Sequence, residues 1–440
     1  MSPTRSLHRP RAKALGLPEL VAIALGGMVG GGIFTILGVS VSLIGVWTPL
    51  AIGLGAVMAL LAAYSYVKLG VYYRDEGATY AFFRRTYPSS PFAASLIGWW
   101  VIFGYVSTIA LYAWTFASYA IGGLGLPDGI GARRGLAIGV IACFTAVNLW
   151  SVRGMGRIED AMVYTKLAIL VLISFVLIDH GTASWPTLSA ETGPVDPLSI
   201  AIVTALTFVA YEGFQLVINA VEEMDEPERK IPRAIYTAVL LAALIYGILA
   251  FGALRAIPMQ DIIRNREFAL AAGAGSVLGR AGILLVVAGA LLATSSAISG
   301  TVFGASRQLA VIAVDGHAPA LLGRRRNRIP VHAILAMSGS ASALILAGTL
   351  ELILEFGSLT FLLVSLLMAL ANHRIRAQTG SSPWATSAAI AGLLSGTALI
   401  LRYELRHRPE QVAFIAGLYA LLTLGAWFYA RPRSTRVAGS

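Results

Sequence analysis

Leu25-Gly26-Gly27-Met28-Val29-Gly30-Gly31-Gly32-Ile33-Phe34 puts five glycines into ten positions. The run lies inside residues 18–44, whose one charged residue is Glu19. Such a stretch exceeds the roughly 20 apolar residues that cross about 30 Å of hydrocarbon. Each glycine weakens a helix by about 1 kcal/mol relative to alanine, and three in succession invite unwinding. A membrane span broken near its middle is the expectation.

The rest of the chain supports a bilayer as solvent. Of its 440 residues 57% are apolar and only 12% charged, with a mean hydropathy of +0.75. A soluble domain is about one-quarter charged. Eleven further apolar segments follow, near 48–69, 93–122, 135–151, 158–179, 197–221, 233–254, 281–313, 331–349, 352–372, 384–401 and 411–430. Lipid leaves no partner for backbone groups outside the segment, so helices are expected. Alternate connections carry 22 and nine Lys and Arg residues, with Lys68 and Lys166 set aside. Positive charge stays in the cytoplasm, which puts both termini, 1–17 and 431–440, on that side. The net charge of +11 then reflects topology, and no nucleic-acid partner is expected. The opening apolar stretch is too long for a signal peptide, so no cleaved leader is expected. Cys143 stands alone and six histidines are scattered without ligand spacing, which gives no disulfide, metal site or cofactor to expect. The phosphate-loop pattern of ATP-driven pumps is missing as well.

The sixth segment has its own irregularity, Tyr211-Glu212-Gly213-Phe214. A glutamate at mid-membrane is costly unless it faces a cavity or partner. Interruptions at matching places in two five-helix blocks point to an inverted repeat with a ligand at the breaks. Close helix packing by small residues is the alternative for the glycines.

The glycine run resembles the first-helix motif of the amino acid–polyamine–organocation superfamily, with Gly31 where the family commonly has Ser. Phe208-Val209-Ala210-Tyr211-Glu212-Gly213-Phe214, followed by Glu222-Glu223, Pro227, Arg229-Lys230 and Ile231-Pro232-Arg233-Ala234-Ile235, is similar to its sixth helix and the exit from it. Asn148, Arg153-Gly154, Lys166 and Arg307 through Asp315-Gly316 fit as well. The resemblance implies an all-α membrane protein of twelve helices. Its first repeat would span 18–180 and its second 197–374, with two added helices in 384–430. Uptake or exchange of amino acids or organic amines is implied.

The chemistry of a break fits such a ligand. Free N–H groups near Gly31 and the positive end of a helix dipole attract a carboxylate. Free carbonyls where the half-helices end, near Met28 and Val209, suit an ammonium. Gly30, Gly31 and Gly32, with Ile33 beside them, allow close approach to the backbone. By resemblance Met28, Val209 and Glu212 supply carbonyls, while Phe103, Gly104, Tyr211 and Phe214 are candidates for the side-chain pocket. Lys166 lies nine residues, about 14 Å along a helix, inside Arg157. Snorkelling does not reach that far, so Lys166 is either a structural lysine on carbonyls or a proton carrier. In proton-coupled relatives a fifth-helix lysine takes the place of sodium, held by first-helix carbonyls and eighth-helix hydroxyls; Ser295 and Ser296, beside Thr294, are the candidates. Glu212 either selects a cationic side chain or bonds to neighbouring helices and serves gating. Glu222 and Glu223 are candidates for an inner gate, and Arg324-Arg325-Arg326 for a topology anchor. Proton-coupled amino acid symport is the leading expectation. An exchanger and a non-transporting sensor are the alternatives, and no nucleophile–base pair suggests an enzyme.

Overall fold

The structure is a computed structural model that describes residues 15–150, 152–265, 268–326 and 329–430. Among them there is no strand, only two isolated bridges. The glycine run divides the first span into α1 (Leu17–Met28) and α2 (Gly32–Ile44). The turn Gly45–Trp47 leads into α3 (Thr48–Tyr73), followed by α4 (Ala78–Thr86), α5 (Pro91–Leu124), α6 (Ile130–Trp150) and α7 (Val152–Asp179). After α8 (Trp185–Thr192), the sixth span consists of α9 (Pro197–Thr207) and two tighter, 3-10 helical pieces, Phe208–Tyr211 and Phe214–Glu223. The order continues with α10 (Pro227–Ala256), α11 (Met259–Asn265), α12 (Ala269–Val314), α13 (Val331–Ala347), α14 (Leu350–Arg374), α15 (Arg376–Thr379), α16 (Pro383–His407) and α17 (Pro409–Tyr429).

Ten helical stretches among the described residues are long and apolar enough to cross a membrane, one of them joining α2 to α3. The helices α1 and α13 are shorter and also apolar. Every expected span therefore has a helical counterpart. Leu240 and Leu244 on α10, Phe175 on α7 and Leu421 and Leu424 on α17 stand exposed. Only lipid or another chain covers so much apolar surface.

Two expectations about connections need correction. The connection between the segments near 48–69 and 93–122 is not a plain loop. It contains α4, whose Tyr80, Phe82 and Phe83 are buried while Arg84 and Arg85 at its end pair with Asp315 and Asp75. The eighth span does not begin at 281 from a loop. Helix extends back to Ala269 and folds over at Gly279, which adopts φ 62.

The long α5 is the axis of the bundle and packs on α12, α14, α6 and α17, while α3 packs on α10 and α7 on α12. At one end of the bundle the start of the chain is tied to the exit of the sixth span. Leu15 N–H donates to the Glu223 carbonyl at 2.9 Å, and Lys230 donates to the Leu15 carbonyl at 2.8 Å and pairs with Asp225. There too Trp99 donates to the His317 carbonyl at 2.9 Å, and Glu223 faces Arg307. The opposite end holds a cavity of about 620 Å³ bordered by Trp114, Ser118, Phe268 and the Asp128–Arg133 ion pair. Residues 1–14 and 431–440 and the Glu222 side chain, named above for topology and gating, lie outside the described residues.

Candidate functional site

At the first break Val29 N–H still closes on the Leu25 carbonyl at 2.8 Å, and Gly30 N–H turns back to the Met28 carbonyl at 2.9 Å. Helix resumes at Gly32. Its N-cap, Gly31, offers no side chain to the first-turn N–H groups. The carbonyls freed by this unwinding are buried and require partners, and apart from Gly30 N–H on Met28 these come from other helices. Lys166 on α7, fully buried, donates to the Gly26 carbonyl at 3.1 Å, to the Val29 carbonyl at 2.6 Å and to Ser296 Oγ on α12 at 2.8 Å. Tyr112 of α5 donates to the Gly27 carbonyl at 2.8 Å, and Tyr246 of α10 to the Met28 carbonyl at 2.9 Å.

The second break is built differently. Glu212 N–H closes a tight turn on the Val209 carbonyl at 3.2 Å, and Glu212 itself is extended. Gly213 follows at φ 123. A Cβ there would lie 2.5 Å from the Gly27 carbonyl carbon and 2.7 Å from Met28 N. Only glycine combines that backbone with so close an approach, and the two breaks therefore touch backbone to backbone. Gln215 donates to the Glu212 carboxylate at 2.8 Å, stands 3.3 Å from Tyr105 Oη and accepts from Gly213 N–H at 3.1 Å. The other Glu212 oxygen is buried without a partner, and the carboxylate faces Tyr66, Tyr105 and Tyr112.

Among the expected site residues, the structure gathers Met28, Gly30, Gly31, Gly32, Ile33, Val209 and Glu212 around the two breaks, with Lys166 and Ser296 against the first. Ser295 is buried next to Ser296. Two carbonyls expected to be open, those of Met28 and Val209, are engaged by Tyr246 and Glu212 N–H in this conformation. Phe103 and Gly104 are not at the breaks. Phe103 is nine residues, about 13 Å along α5, from Tyr112, and lines a separate cavity of about 150 Å³ with Trp99, Leu309 and Met337. Gly104 abuts Thr360 and Phe361 of α14. Tyr211 turns to α3, donating to the Ile52 carbonyl at 3.0 Å, and Phe214 stands edge-on to Tyr66 at 5.5 Å.

Sequence reading missed Tyr112, Tyr246, Gln215 and Thr115. The last answers the serine absent from position 31. Thr115 Oγ1 lies 2.7 Å from where a Gly31 Cβ would be and 3.1 Å from Thr35 Oγ1. The hydroxyl at the start of α2 is thus supplied from α5.

Residues 15–435 match the family described as amino acid permease. The chain belongs to the amino acid permease family. The permease is 31% identical to an uncharacterized protein of Methanocaldococcus jannaschii over 84% of each chain. It is 33% identical to an inner membrane transport protein of Escherichia coli over 66% of its own length and 67% of the relative's. It is 26% identical to human cationic amino acid transporter 4 over 84% of its length and 61% of the relative's. Permeases move solutes without transforming them, and this chain is a multi-pass membrane transporter rather than an enzyme.

Proposed function

We propose that the permease is a proton-coupled symporter of an amino acid or a closely related amine, working by alternating access in the cell membrane with both termini cytoplasmic. The supporting architecture is twelve spans in a five-plus-five inverted repeat plus two helices. Pairing of the second span with the seventh (α3 on α10) and of the third with the eighth (α5 on α12) supports that symmetry. The observation that carries the reading is the Lys166 ammonium on the Gly26 and Val29 carbonyls and Ser296. A fixed cation there makes a bound sodium ion unnecessary. Losing its proton removes the charge that clasps α1 to α7 and α12. Only a group whose charge is worth more in one state than in the other can bias the two.

The substrate carboxylate is assigned to the N–H groups at Gly31 and Gly32, beside Thr115. Its ammonium displaces the tyrosine hydroxyls from the carbonyls near Met28. Glu212 serves gating through Gln215 and the α5 tyrosines rather than side-chain selection.

The test is uptake by proteoliposomes, using a panel of labelled neutral and cationic amino acids, without sodium and with or without an inward proton gradient. Gradient-driven, sodium-free accumulation is expected. Uptake that needs sodium and ignores pH contradicts the reading, and uptake that needs only a preloaded amino acid makes the protein an exchanger. Glu212→Gln is expected to keep neutral substrates while altering the pH dependence of uptake. Loss of cationic substrates alone would assign Glu212 to the pocket instead.

A further inference from the structure

At the end of the bundle bearing the larger cavity, away from both breaks, a second polar cluster joins the last two long helices to α14. Glu404, near the end of α16, is 3% exposed, and neither of its carboxylate oxygens has a hydrogen-bond donor. It faces Glu355 of α14, itself 6% exposed. Arg408, at the turn between α16 and α17, is committed elsewhere. It bonds Glu355 at 3.0 Å and lies 3.4 Å from Glu351. Gln411 of α17, with its amide nitrogen turned inward, also donates to Glu355. The Glu355 carboxylate thus has two donors and the Glu404 carboxylate none.

The surroundings add no further donor for Glu404. A cavity of about 200 Å³ adjoins the cluster, and Gly38 and Ser42 of α2, Leu206 of α9 and Ile263 of α11 line its far wall. None of those four residues titrates. The remaining ionisable neighbours are Tyr403, which follows the carboxyls into the cavity wall, and His407, exposed and stacked on Tyr403 at 4.4 Å. Fully ionised, the three glutamates would face one guanidinium. Two buried carboxylates side by side cannot both keep their charge, and an unpartnered buried carboxylate is among the costliest groups a fold can hold.

We propose that Glu355 and Glu404 form a proton-binding carboxyl pair that holds one proton between them. Glu404 O–H donates to Glu355, whose charge Arg408 balances and whose oxygens Gln411 also hydrogen-bonds. The bound proton is distinct from that of Lys166, and the site does not depend on the transport reading. It clasps the α16–α17 turn to α14 beside the cavity that α2 borders. No group of three or more His, Cys, Asp or Glu among the described residues could hold a metal ion, which favours a proton over a divalent cation.

The consequence is a stability that depends on pH in one direction. A proton held by the fold and released by the unfolded chain favours the fold at low pH, and this contribution disappears as the pair deprotonates. Purified protein is melted between about pH 6 and pH 9, where an ordinary glutamate is already ionised. Its infrared spectrum is recorded alongside. The intact chain is expected to melt at lower temperature as pH rises and to show the carbonyl stretch of a buried carboxylic acid. Glu404→Gln replaces O–H by N–H, so it is expected to lose that band and flatten the pH slope, melting at or above the parent at the alkaline end. Glu355→Gln gives the same two readouts should the first variant fail to assemble. A band and slope unchanged in either variant overturn the proposal. So does a melting temperature set by sodium or potassium in place of pH.

Discussion

The two broken helices meet backbone to backbone but are held together in different ways. In the first, the freed carbonyls of Gly26, Gly27, Met28 and Val29 are met by donors from α7, α5 and α10. In the second, the chain itself supplies most of the partners: Glu212 N–H closes on Val209, and Gln215 bridges Glu212 and Gly213, while Tyr246 reaches the Ala210 carbonyl from α10. A break satisfied from within moves as a unit. A break satisfied from outside comes apart when its donors withdraw, and one of those donors is ionisable. We infer from this difference that α1 is the element that moves and the Glu212 turn the one that stays. Tyr246 ties them, since its hydroxyl is 2.9 Å from the Met28 carbonyl and 3.2 Å from that of Ala210.

The most severe way to break this arrangement is Gly213→Ala. Its Cβ would press on the Gly27 backbone at 2.5 Å, and strained left-handed backbone alone costs about 1–3 kcal/mol. Backbone faces backbone, so neither side yields cheaply. Loss of monodisperse protein on size-exclusion chromatography is expected. A variant that melts like the parent would mean that the breaks are not in tight contact.

A smaller effect separates the tyrosines. Tyr112→Phe strands the buried Gly27 carbonyl, a loss of about 1–3 kcal/mol, whereas Tyr246→Phe removes one of the two donors to the Met28 carbonyl. Tyr246→Phe should be the more disruptive, because it also serves Ala210. Gln215→Leu, which disturbs only the self-contained break, should leave the accessibility of α1 unchanged. Cysteine labelling along α1 checks this ranking, and an α1 loosened as much by Gln215→Leu as by Tyr246→Phe would erase the contrast.

The smallest effect lies at the end where Trp99 bonds the His317 carbonyl. His317 is half-buried against Tyr80, and burial holds its imidazole below the ordinary range. The fold thus prefers the neutral ring. This contribution is present above the ordinary imidazole range and is lost as pH falls through the depressed value. His317→Phe should show a slightly shallower acid limb in thermal melts. An acid limb equal to the parent's would mean that the His317 imidazole contributes nothing to the pH dependence.

How far these features could be read from the sequence follows from what each depends on. The glycine run and the mid-span Glu212-Gly213 were legible because helix-breaking and membrane burial are local properties. The depth of Lys166 was legible because it is a count along one helix. The tyrosine donors were not. Whether Tyr112 or Tyr246 turns to lipid or to a carbonyl depends on the rotation of α5 and α10, which periodicity leaves open in helices apolar on most faces. The same holds for Phe103 and Gly104, which lie against the Trp99 cavity and α14 rather than against the breaks. The helix α4 was hidden because its two arginines and adjoining charges read as a cytoplasmic turn, although Tyr80, Phe82 and Phe83 anchor it. Thr115 illustrates a hydroxyl moved between helices, which no motif confined to α2 can reveal.

The account turns on whether the Lys166 proton holds α1 in place. The direct measurement starts from a Cys143→Ser background, since Cys143 is exposed. A cysteine is placed at Ala24, which is buried at 0% on α1, and labelled with a membrane-impermeant thiol reagent across a pH series in proteoliposomes. The account predicts low labelling at acid pH that rises as pH increases, and high labelling at every pH once Lys166→Ala is added. The same pH-dependent rise with and without Lys166 would contradict it.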